Sequence, residues 1–151
     1  MNPNERRAWS RSAMPHMIRA RAAAVLAMAL MLGACSGSSV NAVNKLLDAR
    51  DAAISQRNIK AYARLISDDY KEGKQSKADI VNNMKRLFGE FSQLQMHSFG
   101  RDIYIADANH AQASQSYRLK VLMDGTWREM LQREELSLVH NDKGWQIESG
   151  L

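Results

Sequence analysis

Few side chains in this 151-residue sequence combine a reactive type with an informative spacing, and Arg50 leads them. It follows Leu46 and Leu47 and precedes Ala53 and Ile54 at helical spacing, so its guanidinium, a rigid fork of N–H donors, falls on an apolar stripe. Two uses compete for it: a cation that holds an acidic ligand, or an ion pair with Asp48, Asp51 or a strand carboxylate such as Glu129. Tyr62, Tyr70, Tyr104 and Tyr117 add phenols that either offer hydroxyls to a ligand or pack as core residues with the hydroxyl at the edge. His97, His110 and His140 are scattered and lack the short spacing of metal ligands on one helix, so no metal site is expected. Asp102 and Tyr104 would share a strand face. Glu134 and Glu135 are adjacent and point to opposite faces, so at most one enters a pocket. The sequence carries no glycine-rich phosphate loop and no nucleophile elbow, and no catalytic residue or cofactor is assigned.

The elements that must position these groups divide into helices, then strands. Val43, Leu46, Leu47, Ala53 and Ile54 recur at spacings of three, four and seven and predict a helix from Val40 to about Gln56, with Ser39 as its N-cap. Arg57 and Asn58 make a turn, and Ile59, Tyr62, Ala63, Leu65 and Ile66 supply the apolar face of a shorter helix. A polar stretch runs from Ser67 to Gln75. Ser76 and Asp79 have the spacing of a capping box, which predicts a third helix through Ile80, Met84, Leu87 and Phe88 to Gly89. The period then drops to two, the mark of half-buried antiparallel strands. A strand from Phe91 to Ala106 changes phase near Gly100. Ala111 to Met123 alternates cleanly, Asp124-Gly125 is a hairpin signal, and the returning strand from Thr126 to His140 shifts phase between Leu131 and Leu136, as a bulge would. Trp145, Ile147 and Leu151 line the last strand. The reading is an α+β domain of three N-terminal helices on a curved, mainly antiparallel four-stranded sheet.

The N-terminal region reads as an address. Arg19 and Arg21 precede an apolar core from Ala22 to Leu32, too short for a membrane span, which takes ~20 apolar residues. Leu32, Gly33, Ala34 and Cys35 then resemble the lipobox of bacterial lipoproteins, whose cysteine is acylated and becomes the mature N-terminus. The resemblance implies a signal peptide over residues 1–34, with Met14 and Met17 as alternative starts to Met1. It further implies a lipidated Cys35 carrying palmitate, a short tether over 35–39, and a domain over 40–151. Ser36 after the cysteine resembles an outer-membrane sorting signal, which points to the periplasmic face of the outer membrane. A flexible tether of this length reaches only ~12 Å, which keeps the domain close to the lipid. The sequence has a formal net charge of +5, but residues 1–34 hold five arginines and one glutamate, leaving 16 basic and 15 acidic residues beyond them. The basicity therefore belongs to the targeting segment, and nucleic acid is not an expected partner.

The order of elements beyond residue 40 resembles the NTF2-like superfamily, the cone-shaped fold shared by nuclear transport factor 2, ketosteroid isomerase and scytalone dehydratase. The resemblance is carried by Ala53-Ile54 through Leu65-Ile66-Ser67-Asp68-Asp69-Tyr70, the capped helix from Ser76, the Asp124-Gly125 hairpin and Gly144-Trp145-Gln146-Ile147. It implies a cavity between the long helix and the sheet, which Arg50, Tyr62, Tyr70, Tyr104 and Tyr117 would line. The isomerases of the family use a tyrosine and an aspartate base where this chain, aligned on Asp68 and Asp69, has Arg50 and Lys74. An arginine is no neutral acid, and a lysine in an exposed loop has no cause to lose its proton, so that acid–base pattern does not carry over. The expectation is a non-catalytic domain that binds a small ligand, an acidic one if Arg50 holds it, or a protein. The alternative is an enzyme of isomerase or dehydratase type with a different acid–base set. Members of the family frequently pair through their sheets, which implies a homodimer or an envelope protein partner.

Overall fold

A computed structural model of the protein describes residues 37–151. The signal peptide read over residues 1–34 and the lipidated Cys35 lie outside the described residues. Among the latter, α1 (residues 37–55) is followed by α2 (Ile59–Leu65), a small hairpin of β1 (Lys71–Glu72) and β2 (Gln75–Ser76), and α3 (Lys77–Glu90). Four long strands complete the chain: β3 (Leu94–Ile105), β4 (His110–Met123), β5 (Thr126–Asn141) and β6 (Gly144–Ser149). They form one antiparallel sheet in the order β3-β4-β5-β6, so consecutive strands are neighbours throughout. The described residues are a compact unit with their own core. No helix among them is long and apolar enough to cross a membrane.

The helical stripe of α1 is buried as its periodicity requires: Val43, Leu46, Leu47, Arg50, Ala53 and Ile54 all lie inside. The helix extends back past Ser39, which therefore sits within it and is not its N-cap; residues 37–39, read as tether, are helical. Asn58 caps α2 by accepting a hydrogen bond from the Ala61 N–H at 3.0 Å. Asp79 accepts from the Ser76 N–H at 2.9 Å, the backbone half of the capping box that starts α3. Two side chains fasten α1 to the first sheet strand. Asp51 accepts from the Ser98 N–H at 2.7 Å and its hydroxyl at 2.8 Å, and the Met96 N–H donates to the Ser55 hydroxyl at 2.9 Å.

The sheet departs from regularity where glycine allows it. The β3–β4 register shifts between Phe99 and Asp102 with Gly100 at φ +63°, so the phase change near Gly100 is a bulge. Asp124 and Gly125 take φ +49° and +72°, the left-handed pair that a two-residue hairpin needs. The bulge expected between Leu131 and Leu136 is absent: β4 and β5 pair without interruption from His110↔Val139 to Met123↔Thr126. The phase of the sequence shifts there because Trp127 and Leu131 point away from the helices, whereas Leu136 and Leu138 face them. The register shift near this end of β5 is in its pairing with β6, where Ser137↔Ser149 and Leu138↔Ile147 leave Glu148 on β6 as the extra residue. The polar stretch before Ser76 also hides the β1–β2 hairpin, which is too short to show a period.

Candidate functional site

The helix-facing side of the sheet carries Ala111, Ala113, Gln115 and Tyr117 from β4 and Gln132, Glu134, Leu136 and Leu138 from β5, as the register dictates. Towards β6 the alanines admit α1 and α2, and the core closes. Towards the β4–β5 turn the larger Tyr117 and Gln132 stand opposite α3, and a cavity of about 590 Å³ opens. Ile80, Met84 and Leu87 form one wall from α3, while Arg50 and Tyr62 reach it from α1 and α2. Glu72, Gly150 and Leu151 close another side. A volume of this size suits a small ligand, and the lining is mixed, with Gln75, Asn83, Gln132, Arg133 and Glu135 beside the apolar wall.

Arg50 and Glu134 belong to a connected polar network. Both terminal nitrogens of Arg50 donate to the Glu134 carboxylate, Nη2 to Oε2 at 2.9 Å and Nη1 to Oε1. The pair is buried, with the Arg50 side chain 6% and the Glu134 side chain 9% exposed. Gln115 Nε2 donates to the same carboxylate at 2.6 Å, and Arg101 Nε donates to Gln115 Oε1 at 2.8 Å. Arg101 continues to Asp48 at 2.6 Å. The chain of donors and acceptors thus runs from the exposed side of α1 across the helix-facing side of the sheet to the cavity wall. Burial pushes the Arg50 guanidinium down, but the hydrogen bonds and charge of Glu134 outweigh it and leave the group above its ordinary value. Burial raises the Tyr62 and Tyr117 phenols, so both stay neutral donors. One buried side-chain atom of the described residues has no hydrogen-bond partner: Arg50 Nε.

A second polar cluster shapes the cavity's edge. The Tyr70 hydroxyl donates to Glu72 Oε2 at 2.8 Å, and the same carboxylate oxygen accepts from the N–H groups of Gly150 at 2.8 Å and Leu151 at 3.0 Å. The closing segment holds a backbone conformation reserved for glycine, since Gly150 has φ +101°. Desolvation, reinforced by Glu72, pushes the Tyr70 phenol up to about 12.

Of the five residues read as pocket candidates, the fold brings Arg50, Tyr62 and Tyr117 to one cavity. Tyr70 is buried beside it and acts on Glu72. Tyr104 is 66% exposed and lies on the opposite face of the sheet, where Asp102 and Tyr104 border a separate pocket of about 380 Å³. The partner of Arg50 is Glu134, not Asp48, Asp51 or Glu129. Glu129 faces away from the helices and pairs with Arg118 at 2.9 Å. Sequence reasoning allowed at most one of Glu134 and Glu135 into a pocket, but both line this cavity, with the Glu134 carboxylate the buried one, because Glu135 reaches its edge beside Gly150. Strand parity alone, counted from Leu136 and Leu138, would have named Glu134. Gln115 carried no signal, because a polar residue in an alternating strand does not announce its partner. Among the described residues no group of three or more His, Cys, Asp or Glu side chains is gathered as for a metal ion.

No protein-family profile and no curated protein matches the sequence. Solved structures do match it. A proposed scytalone dehydratase from Novosphingobium aromaticivorans superposes with a TM-score of 0.71 at 10% identity, over 78% of this chain and 85% of that one. An NTF2-like superfamily protein from Salmonella enterica serovar Typhimurium gives 0.67 at 14% identity, over 76% and 92%. A proposed dehydratase of the NTF2-like family from Streptomyces avermitilis gives 0.65 at 10%, over 76% and 94%. Identities this low speak for the fold alone, and the fold they share with this chain is the α+β cone of the NTF2-like superfamily.

Proposed function

We propose that this protein is a lipid-anchored component of a bacterial envelope whose cone binds a small molecule without converting it. The observation that carries the reading is the cavity of about 590 Å³, whose buried carboxylate, Glu134, has both oxygens committed to Arg50 and Gln115. A general base needs an oxygen within reach of the proton it takes, and three N–H donors already point at this carboxylate. Lys74, which stands where the related isomerases have their base, sits in the exposed turn between β1 and β2. The dehydratases among the structural neighbours support the alternative, an isomerase- or dehydratase-type enzyme, through their descriptions.

The anchor is proposed from Leu32, Gly33, Ala34 and Cys35, with the periplasmic face of the outer membrane as its site. Cells expressing Cys35→Ser are expected to accumulate an unprocessed precursor that takes up no labelled palmitate; labelling of that variant equal to wild type would sink the anchor.

A second partner reading rests on the other face of the sheet. Phe99, Leu122, Trp127 and Leu131 share that face by register, and Phe99, Trp127 and Leu131 are exposed. An apolar surface of this kind suits a second copy of the chain or an envelope protein.

A further inference from the structure

One edge of the sheet is covered along only part of its length. β5 runs from Thr126 to Asn141, but β6 pairs with it only from Ser137 onward, so no strand among the described residues lies against residues 127–136 on the side away from β4. The two-residue turn at Asp124-Gly125 makes Met123↔Thr126 a hydrogen-bonded pair, and bonded and non-bonded pairs then alternate along the ladder. The even-numbered residues of β5 therefore bond to β4, and the N–H and C=O groups of Trp127, Glu129, Leu131 and Arg133 point out from the edge. The Leu122 N–H, which donates away from β5 to the Gln93 carbonyl at 3.0 Å, has the same phase.

An unpaired row of this kind is a template for another strand, and folded proteins blunt it with proline, a bulge or a covering element. Residues 127–133 contain no proline, pair with β4 without a bulge and expose Trp127, Met130 and Leu131. Charge then selects the occupant. A twofold axis at Leu131 would set Glu129 opposite the partner's Arg133, Arg133 opposite the partner's Glu129, and Leu131 against its own copy. Opposed residues share a face, so two ion pairs would flank an apolar contact, and these same residues carry the outward backbone groups. An axis at Glu129 or Arg133 opposes like charges, one at Met130 sets Glu129 against leucine, and one at Gln132 sets it against Glu135. Glu129 bridges Arg118 and Lys120 and stays half-exposed, while Arg133 donates to the Ser114 hydroxyl at 2.8 Å and has no carboxylate partner among the described residues. The ladder ends where Gly150 packs against the Glu135 carbonyl.

We propose that a second copy of this chain docks on this edge by antiparallel pairing of β5 with its own copy over residues 129–133, which joins two four-stranded sheets into one. The contact is self-complementary, as a twofold dimer requires. Backbone hydrogen bonds supply its affinity, and the charges of Glu129 and Arg133 fix its register. The proposal rests on the reading of a second copy as the partner and moves the contact from the face of the sheet to its edge; the test separates the two.

The full chain is followed in nonionic detergent by sedimentation velocity and by hydrogen exchange of its backbone amides. Wild type is expected to dimerise, with the amides of Glu129, Leu131 and Arg133 exchanging at least about tenfold more slowly in the dimer than after dilution to monomer. Glu129→Arg and Arg133→Glu are each expected to be monomeric, because each opposes like charges. An equimolar mixture of the two is expected to form a heterodimer, because each arginine then faces a glutamate. Should either variant fail to fold, the wild-type amides still decide. A dimer whose edge amides exchange as in the monomer, a dimer that survives both charge reversals, or a mixture that stays monomeric would overturn the edge pairing and leave the face of the sheet as the contact between copies. Wild type that is monomeric at every concentration would overturn both and leave the edge to a strand of a different protein.

Discussion

Arg50 and Glu134 are 84 positions apart in sequence and meet only because α1 crosses the sheet above β5. Inside the domain their mutual attraction and the Gln115 hydrogen bond compensate two desolvated charges, so each depends on the other. Glu134→Gln leaves the guanidinium buried without a counter-charge and is expected to cost about 3–5 kcal/mol in urea unfolding. The double replacement Arg50→Met with Glu134→Leu should recover most of that loss; if it were as unstable as the single change, the buried charge would not be the cause. Two other residues contribute to the pH dependence, beside the lowered carboxylates of Glu72, Asp79 and Asp107. Hydrogen bonds from Lys143 and Lys77 hold the exposed Asp68 at about 2 against a reference of 3.8. Its contribution to stability is full above the reference value and disappears as pH falls from there through about 2. Tyr70, lifted from 10.0 to about 12, works in the opposite sense. It favours the folded state fully below pH 10, and that contribution is lost as pH rises towards 12. Unfolding curves across both windows should fall at each end, and Lys143→Ala should move the Asp68 midpoint upward in an NMR titration.

At the scale of elements, the cavity is a consequence of where α3 and the last residues sit on the sheet. The capping box at Ser76 fixes the start of α3 and hence which of its residues, Ile80, Met84 and Leu87, face Tyr117. The segment after β6 is fixed differently, by Glu72 and by a glycine. A Cβ at position 150 would lie 2.1 Å from the Glu135 carbonyl oxygen, inside any permitted contact, and backbone at φ +101° disfavours a side chain in any case. Gly150→Ala is therefore expected to detach the segment, costing about 1–3 kcal/mol and accelerating hydrogen exchange at the Leu151 amide. Unchanged exchange would show that the Tyr70–Glu72 cluster holds the segment unaided. The helices and the paired strands were legible in the sequence because burial imposes periods of 3.6 and 2 on them. The start of the first helix is not legible at Ser39, because this serine lies within a helix that begins earlier. The sequence of β5 imitates a bulge that is absent, because Leu131 faces outward while Leu136 faces the helices.

For the whole molecule, one antiparallel sheet presents two surfaces of different kind. The helix side is core and cavity, and the other side is an open surface where Leu131 is 60% exposed beside Trp127. If two copies associate through that side, Leu131→Glu is expected to shift the protein to monomer in sedimentation equilibrium with little loss of stability, since the residue makes no core contact. A wild type that is monomeric at high concentration would remove the homodimer and leave a different protein as the occupant.

By itself the sequence determined the element types, the α+β class, the hairpin at Asp124-Gly125 and the bulge at Gly100, all of which are local or periodic signals imposed by backbone geometry. It also supplied Arg50 as the residue to follow, because a guanidinium on an apolar stripe must be compensated. Only the tertiary structure decided that the compensation is Glu134, that Tyr104 lies on the other face, and that Nε is left over. Those facts depend on contacts between residues tens of positions apart. No local pattern encodes which strand faces which helix turn until the register of the whole sheet is set.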